Sequence, residues 1–107
     1  MKYTVHIIED AEDDLFEIYT FVALNDSVTR AENLLNKLTE ICQKLYTPPN
    51  RGHIPPELKR IDVYDYHEIH YKPYRIMYRI IKQDVYIHCI LDGRRDTEDL
   101  LRTRLLR

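Results

Sequence analysis

An α+β fold is predicted by three features of the 107-residue chain: helix-period apolar stripes in its first half, a switch to period-two segments rich in Tyr, Ile and Val in its second, and a leucine-bearing basic tail. The expected order is a strand, an antiparallel helical hairpin, an antiparallel β-meander packed on the helices, and a short C-terminal helix. A hydrophobic content of 44% over this length predicts one domain spanning residues 1–107. A chain of this size buries roughly two-thirds of the surface that it exposes when unfolded, enough to fold without metal or disulfide support.

Each element has its own signal. Tyr3, Val5 and Ile7 alternate with Thr4, His6 and Ile8, predicting a first strand. Asp10 offers an N-cap, and Glu12, Asp13 and Asp14 follow in the first turn, where the helix dipole favours acids. The helix starting there carries Ala11, Leu15, Ile18 and Val22, joined by Phe21, to about Leu24, and Asn25-Asp26-Ser27 breaks it. Ser27 can cap a second helix whose stripe is Ala31, Leu34, Leu35, Leu38, Ile41, Cys42 and Leu45. The short link makes the two an antiparallel hairpin. Pro48-Pro49 stops the second helix, and Asn50 to Pro56 continues as a loop. A strand around Leu58 to Ile61 comes next, followed by Tyr66 to Tyr71, Tyr74 to Ile81 and Val85 to Leu91, with tight links at Lys72-Pro73 and Lys82-Gln83-Asp84. Asp96 to Leu106 closes the chain as a helix, with leucines at 100, 101, 105 and 106 and basic residues at 102, 104 and 107.

Charge narrows the function classes. Residues 1–50 hold four Lys/Arg against nine Asp/Glu, a net of −5, while residues 51–107 hold twelve against nine, a net of +3. The total of −2 argues against a general nucleic-acid coat protein and leaves room for a local cationic face in the second half. No secretory signal or membrane-spanning stretch is evident, so a cytoplasmic protein with no membrane partner is expected. Cys42 and Cys89, far from any C-x-x-C spacing, are expected to be reduced core thiols. No metal site is expected, because the histidines share no ligand spacing with carboxylates and His67 and His70 point to opposite faces of a strand. Gly52 and Gly93 are the only glycines, which excludes a Gly-rich phosphate loop, and no serine sits in a nucleophile elbow. No cofactor is therefore expected.

The strand Tyr74 to Ile81 carries the candidate chemistry. One face shows Tyr74, Ile76, Tyr78 and Ile80 and suits the core; the other shows Arg75, Met77, Arg79 and Ile81. The two arginines stand roughly 7 Å apart along the strand, on a face that the helical hairpin leaves uncovered, at a spacing that suits a phosphate backbone. In the next strand Val85, Ile87, Cys89 and Leu91 form the apolar face, which leaves Tyr86, His88 and Ile90 beside the arginines. His88 is then a candidate acid or base. Arg94 and Arg95, past the strand end, complete the cationic patch. The ordinary alternative is that the strand arginines pair with acids such as Glu68 or Glu57, and that His88 is a half-buried strand histidine.

Tyr74-Arg75-Ile76-Met77-Tyr78-Arg79-Ile80, then Val85, then Asp92-Gly93-Arg94-Arg95-Asp96 resembles the plasmid-stabilisation toxins of the RelE/ParE superfamily. The ending Leu100 to Leu106, the opening Ala11-Glu12-Asp13-Asp14-Leu15 through Tyr19, and Pro56-Glu57-Leu58 resemble the same family, so the likeness covers essentially the whole chain. It implies the toxin of a type II toxin-antitoxin pair, which inhibits bacterial growth and is neutralised by a cognate antitoxin whose extended or helical segment folds over it. Binding of the pair to operator DNA would run through the antitoxin.

The family has two main activities. RelE-like members cut ribosome-bound mRNA without a metal, which needs a base, an acid and cations for the phosphorane charge. By resemblance Arg75 matches the family's strand arginine and Arg95 the arginine after the last strand, with Arg79 beside them and His88 as the candidate proton carrier. The C-terminal tyrosine of RelE-like nucleases aligns here with Leu101, so a proton carrier is missing, unless His88 or His67 replaces it. ParE-like members trap DNA gyrase and need no such constellation, and the Gly93-Arg94-Arg95-Asp96 run looks more like that branch. DNA gyrase is therefore the favoured target, with Arg75, Arg79, Arg94 and Arg95 as target-binding residues. The alternatives are a ribosome-dependent mRNA endonuclease and a non-toxic relative that only binds its antitoxin as corepressor.

Overall fold

The computed structural model describes residues 2–47, 49 and 52–106. The helix stop expected at Pro48, the loop residues Asn50 and Arg51, and the basic residue Arg107 lie outside the described residues. Strand β1 (Thr4–Ile7) leads into α1 (Glu9–Asn25) and α2 (Val28–Gln43), which ends in a 3-10 turn over Lys44–Tyr46. The short helix α3 (Pro56–Lys59) precedes β2 (Tyr66–Tyr71), β3 (Tyr74–Ile81) and β4 (Asp84–Asp92), and α4 (Glu98–Leu105) closes the chain. The expected α+β order is borne out. Among the described residues no helix is long and apolar enough to cross a membrane.

The sheet runs β1-β4-β3-β2. β2, β3 and β4 form the antiparallel meander, and β1 joins β4 in parallel, placing Val5 beside Val85 and Ile7 beside Ile87. Because the helical hairpin lies between β1 and the meander in sequence, it can fold as a crossover layer on one face. On that face Ala11, Leu15, Leu38, Cys42 and Leu45 pack with Ile76, Tyr78, Val85, Ile87 and Ile90. Each fully buried aliphatic side chain there contributes roughly 1.5–3 kcal/mol.

α1 begins at Glu9, with no side-chain cap, rather than at an Asp10 cap. The reason lies in the sheet: the Ile8 N–H donates to the Ile87 carbonyl at 3.2 Å, and the Ile8 carbonyl accepts from Glu12 N at 2.9 Å. Strand pairing therefore delivers the chain to its first helical turn at a set residue. Ser27 does cap α2, its hydroxyl accepting from Arg30 N at 3.1 Å. Phe21, expected on the core face of α1, is 66% exposed.

The strand expected around Leu58 to Ile61 is instead the helical turn α3. Pro55 and Pro56 have no N–H to give a ladder, and Pro56 at the first turn presets a helical φ. The turn buries Leu58 beneath the second face of the sheet, where α4 adds Leu101 and Leu105 against Tyr66, Met77, Cys89 and Leu91. This second core covers part of the face that the period-two pattern leaves open.

The pattern in β4 also changes face midway. Met77 stands opposite Cys89 while Tyr78 stands opposite Ile87, so His88 is the extra residue of a β-bulge. Before it, Val85 and Ile87 face the helices; beyond it Ile90 takes that side, and Cys89 and Leu91 turn to the second core. The expected grouping of Ile90 with the arginines, and of Cys89 and Leu91 with the helix-side core, is corrected by this one inserted residue. Cys42 and Cys89 are both free thiols, each pushed up to about 12 by burial.

Candidate functional site

β3 carries Arg75 and Arg79 on the second face, where they enter different surroundings. Arg75 is enclosed: its Nε and Nη2 donate to Glu68 at 2.7 and 3.0 Å, and its Nη1 and Nη2 donate to Glu57 at 2.6 and 2.8 Å. Thr97 completes the cage, accepting from Arg75 Nη1 at 2.8 Å and donating to Glu57 at 2.6 Å. Glu57 comes from α3, Glu68 from β2 and Thr97 from the residue before α4, so one guanidinium ties three segments to β3. The Arg75 side chain is 13% exposed and that of Glu68 1%. The guanidinium beside Glu57 holds that carboxyl down to about 2, against 4.5 ordinarily. Arg75 thus takes the alternative of pairing with both Glu57 and Glu68, which corrects the expectation that it is an open phosphate contact.

Arg79 has its Cζ 5.9 Å from the centre of the Tyr66 ring. Among the described residues no carboxylate lies within ion-pair distance of it. His88, raised by the bulge, meets the edge of the same ring at a centroid distance of 5.4 Å. Burial, then the nearby Arg79 and Arg104, hold its imidazole below the ordinary value of 6.5, so it is neutral at pH 7. Tyr86 follows, stacked on His6 at 4.9 Å. The face expected to unite Arg79, His88 and Tyr86 therefore does so, with Arg79 and His88 at the Tyr66 ring and Tyr86 opposite Arg79 in the next strand. His67, the other histidine weighed as a proton carrier, stacks on Tyr78 and faces the opposite side of the sheet.

The cations after β4 divide in the same way. Arg94 is exposed and paired with Asp92, Nη2 to Oδ2 at 2.7 Å and Nε to Oδ1 at 3.0 Å. Arg95 lines a cleft of about 610 Å³ between α1, the end of β4 and α4, together with Phe21, Tyr74, Leu100 and Arg104. At the floor of that cleft Asp14 accepts the Ile90 N–H at 2.9 Å and the Arg104 guanidinium at 3.0 and 2.9 Å, while Arg104 also donates to the His88 carbonyl at 3.2 Å. This clamp holds the bulge between α1 and α4.

Sequence reasoning missed the Asp14–Arg104 clamp, although a signal existed. Asp14 is three residues from Ala11 and four from Ile18, on the apolar stripe, where an acid needs a partner. It also missed that His53, Glu68 and His70 converge on one spot. That grouping depends on a backbone bridge between residues fifteen apart, which no local spacing announces.

As chemistry, the second face offers a free guanidinium at Arg79 and a neutral imidazole at His88, while Arg95 adds a cation in the cleft beside α1. Leu101, where the resemblance to RelE-like nucleases would place a tyrosine, is fully buried in the second core.

Comparisons with known proteins bear on what this arrangement serves. No curated protein matches the chain. A structure described as the chromosomal ParDE toxin-antitoxin system from P. aeruginosa superposes with a TM-score of 0.70 at 18% identity, covering 83% of this chain and 94% of that one. The toxin-antitoxin complex RelBE2 from Mycobacterium tuberculosis gives 0.61 at 22% identity, covering 84% and 96%. Both likenesses establish the RelE/ParE-like fold. The family model for the ParE toxin of the parDE type II toxin-antitoxin system matches residues 5–97, nearly the whole chain, which therefore belongs to the ParE toxin family.

Proposed function

We propose that this toxin halts growth by acting on DNA gyrase and not by cutting ribosome-bound mRNA. The observation that carries the reading is the enclosure of Arg75 by Glu57, Glu68 and Thr97. Metal-free RNA cleavage needs unpaired cations at the phosphorane and a pair of proton carriers. Here the matching strand arginine is saturated by carboxylates, and the matching tyrosine position is a buried leucine. Target binding demands less, namely accessible cations on a firm scaffold, and Arg79, Arg94 and Arg95 supply them.

The cognate antitoxin takes the cleft between α1 and α4 and the outer side of the helical hairpin. α1 carries the acids Glu9, Asp10 and Glu12 in its first turn and Glu17 further on, and exposes Phe16, Phe21 and Leu24 along its length, a surface suited to an amphipathic segment with a basic end. The complex acts in the cytoplasm, and contact with operator DNA runs through the antitoxin.

The test is induction of the chain alone in a bacterial host, following labelled thymidine and labelled amino-acid incorporation over the first minutes. DNA synthesis is expected to stop first, and Arg79→Ala with Arg95→Ala is expected to slow the arrest at equal expression. If protein synthesis stops first, mRNA is the target and Arg79, Arg95 and His88 become its cleavage candidates. Arrest of neither favours a relative that serves only as an antitoxin-binding corepressor.

A further inference from the structure

Beside Arg75, on the edge strand β2 and the loop bridged to it, His53, Glu68 and His70 bring three ligand atoms within 4.8 Å of one another. Backbone geometry makes the convergence. His53 and Glu68 exchange both N–H to carbonyl bonds, at 3.1 and 2.7 Å, an antiparallel bridge that directs their side chains to the same side. His70 is two residues beyond Glu68 on β2 and so shares its face. The loop reaches this position because residue 52 is glycine: a Cβ there would collide with the Tyr78 hydroxyl and the Glu68 carbonyl. The resulting separations are 2.9 Å from His53 Nε2 to Glu68 Oε1 and 3.3 Å from His70 Nε2 to Glu68 Oε2, with the two imidazoles edge to face at 5.2 Å.

We propose that His53, Glu68 and His70 form a binding site for a divalent transition ion of the zinc type, held by the two Nε2 atoms and one Glu68 oxygen. Ligand bonds of roughly 2.0–2.1 Å in a tetrahedral arrangement put neighbouring donor atoms about 3.3 Å apart, and the three ligand atoms, already within 4.8 Å of one another, reach that spacing by small side-chain rotations. Two imidazoles and one carboxylate are a borderline-soft set that prefers zinc and its neighbours to calcium or magnesium. The carboxylate is oriented from behind by Arg75, as ligating carboxylates are oriented by outer hydrogen bonds. Arg75 does not cancel the attraction for a cation, since one guanidinium lies between Glu57 and Glu68 and leaves a net negative charge. The His53 and His70 side chains are 58% and 45% exposed beside an open cleft, so an ion has an entry path and a water can fill its fourth position. On binding, each imidazole carries its proton on Nδ1 and presents Nε2. The ion would join the 52–53 loop to β2 and brace the same carboxylate that encloses Arg75.

Titration of the dialysed full chain with zinc sulfate at neutral pH, read by calorimetry, tests this, together with the visible spectrum after cobalt(II) addition. One equivalent is expected to bind with a dissociation constant on the order of micromolar, and cobalt is expected to give the intense bands of a four-coordinate site. His53→Ala and His70→Ala are each expected to weaken binding by more than about 100-fold, since loss of even an outer partner costs roughly 10- to 100-fold. His6→Ala, outside the cluster, should leave it unchanged. Both ligand histidines are surface residues, and the cobalt spectrum of the unaltered chain reads the site without any substitution. Absence of a one-to-one event, a six-coordinate cobalt spectrum, or an affinity in His53→Ala and His70→Ala unchanged from the unaltered chain overturns the proposal.

Discussion

Arg75 and Arg79 leave β3 on the same face, yet one is caged by two carboxylates and the other rests on an aromatic ring. The difference predicts separable phenotypes. Arg75→Ala would leave Glu68, 0% exposed, without its guanidinium, and loss of one partner of a buried pair costs about 3–5 kcal/mol. Arg79→Ala removes a ring contact worth about 0.5–1 kcal/mol. Urea unfolding of the two variants should show a large fall in midpoint for the first and a small one for the second. Comparable midpoints would mean that the Glu57–Arg75–Glu68 cage is not what holds α3, β2 and β3 together. A loss of toxicity in Arg79→Ala would then report on target contact, whereas the same loss in Arg75→Ala would report first on folding.

At the scale of elements, the bulge in β4 and the helix α4 decide which residues are available. His88 is the inserted residue, and Asp14 of α1 and Arg104 of α4 clamp it by bonds to the Ile90 N–H and the His88 carbonyl. α4 in turn buries Leu101 and Leu105 on the sheet, and the Tyr66 hydroxyl donates to the Leu105 carbonyl at 2.9 Å, satisfying one open acceptor of its last turn. Leu101→Tyr would therefore enlarge a fully buried side chain without presenting a hydroxyl to solvent. The expected result is a destabilisation of about 1–3 kcal/mol and no gain of ribosome-dependent cleavage. Primer extension on a translated message, with thermal unfolding alongside, reads both; cleavage at unchanged stability would contradict the account of α4.

For the whole molecule, the shifted groups act in one direction as the solution is acidified. Glu57 titrates near 2 in the folded chain against 4.5 ordinarily, so its contribution is complete above 4.5 and is lost as pH falls toward 2. His88 and His67 are held below their ordinary 6.5 chiefly by burial. Below that value the unfolded chain takes protons that the folded one resists, so stability declines there too. The urea midpoint should thus fall as the pH drops through about 6.5 and again below about 4.5, and His88→Gln should flatten the first decline. A midpoint constant across the upper window would rule out burial of neutral histidines as a source of pH dependence.

The element order, the Ser27 cap and the hairpin stripe were legible because periodicity and capping are local properties, set by residues within a turn or two of each other. The inward face of β3 was legible for the same reason. Asp10 as a cap, a strand at Leu58 and an unbroken alternation through β4 were not, because each is overruled from a distance: by Ile8 pairing with Ile87, by burial of Leu58 under the second face, and by an inserted residue at position 88. The candidate site divides along the same line. That Arg75, Arg79 and His88 share a face follows largely from strand geometry. That Arg75 is consumed by Glu57, Glu68 and Thr97, that Leu101 is buried, and that His53 meets Glu68 and His70 depend on contacts between segments far apart in the chain. Sequence alone thus determined the elements and the family, whereas tertiary packing decided which charges stay free, because the partner of a charge is a property of space and not of spacing.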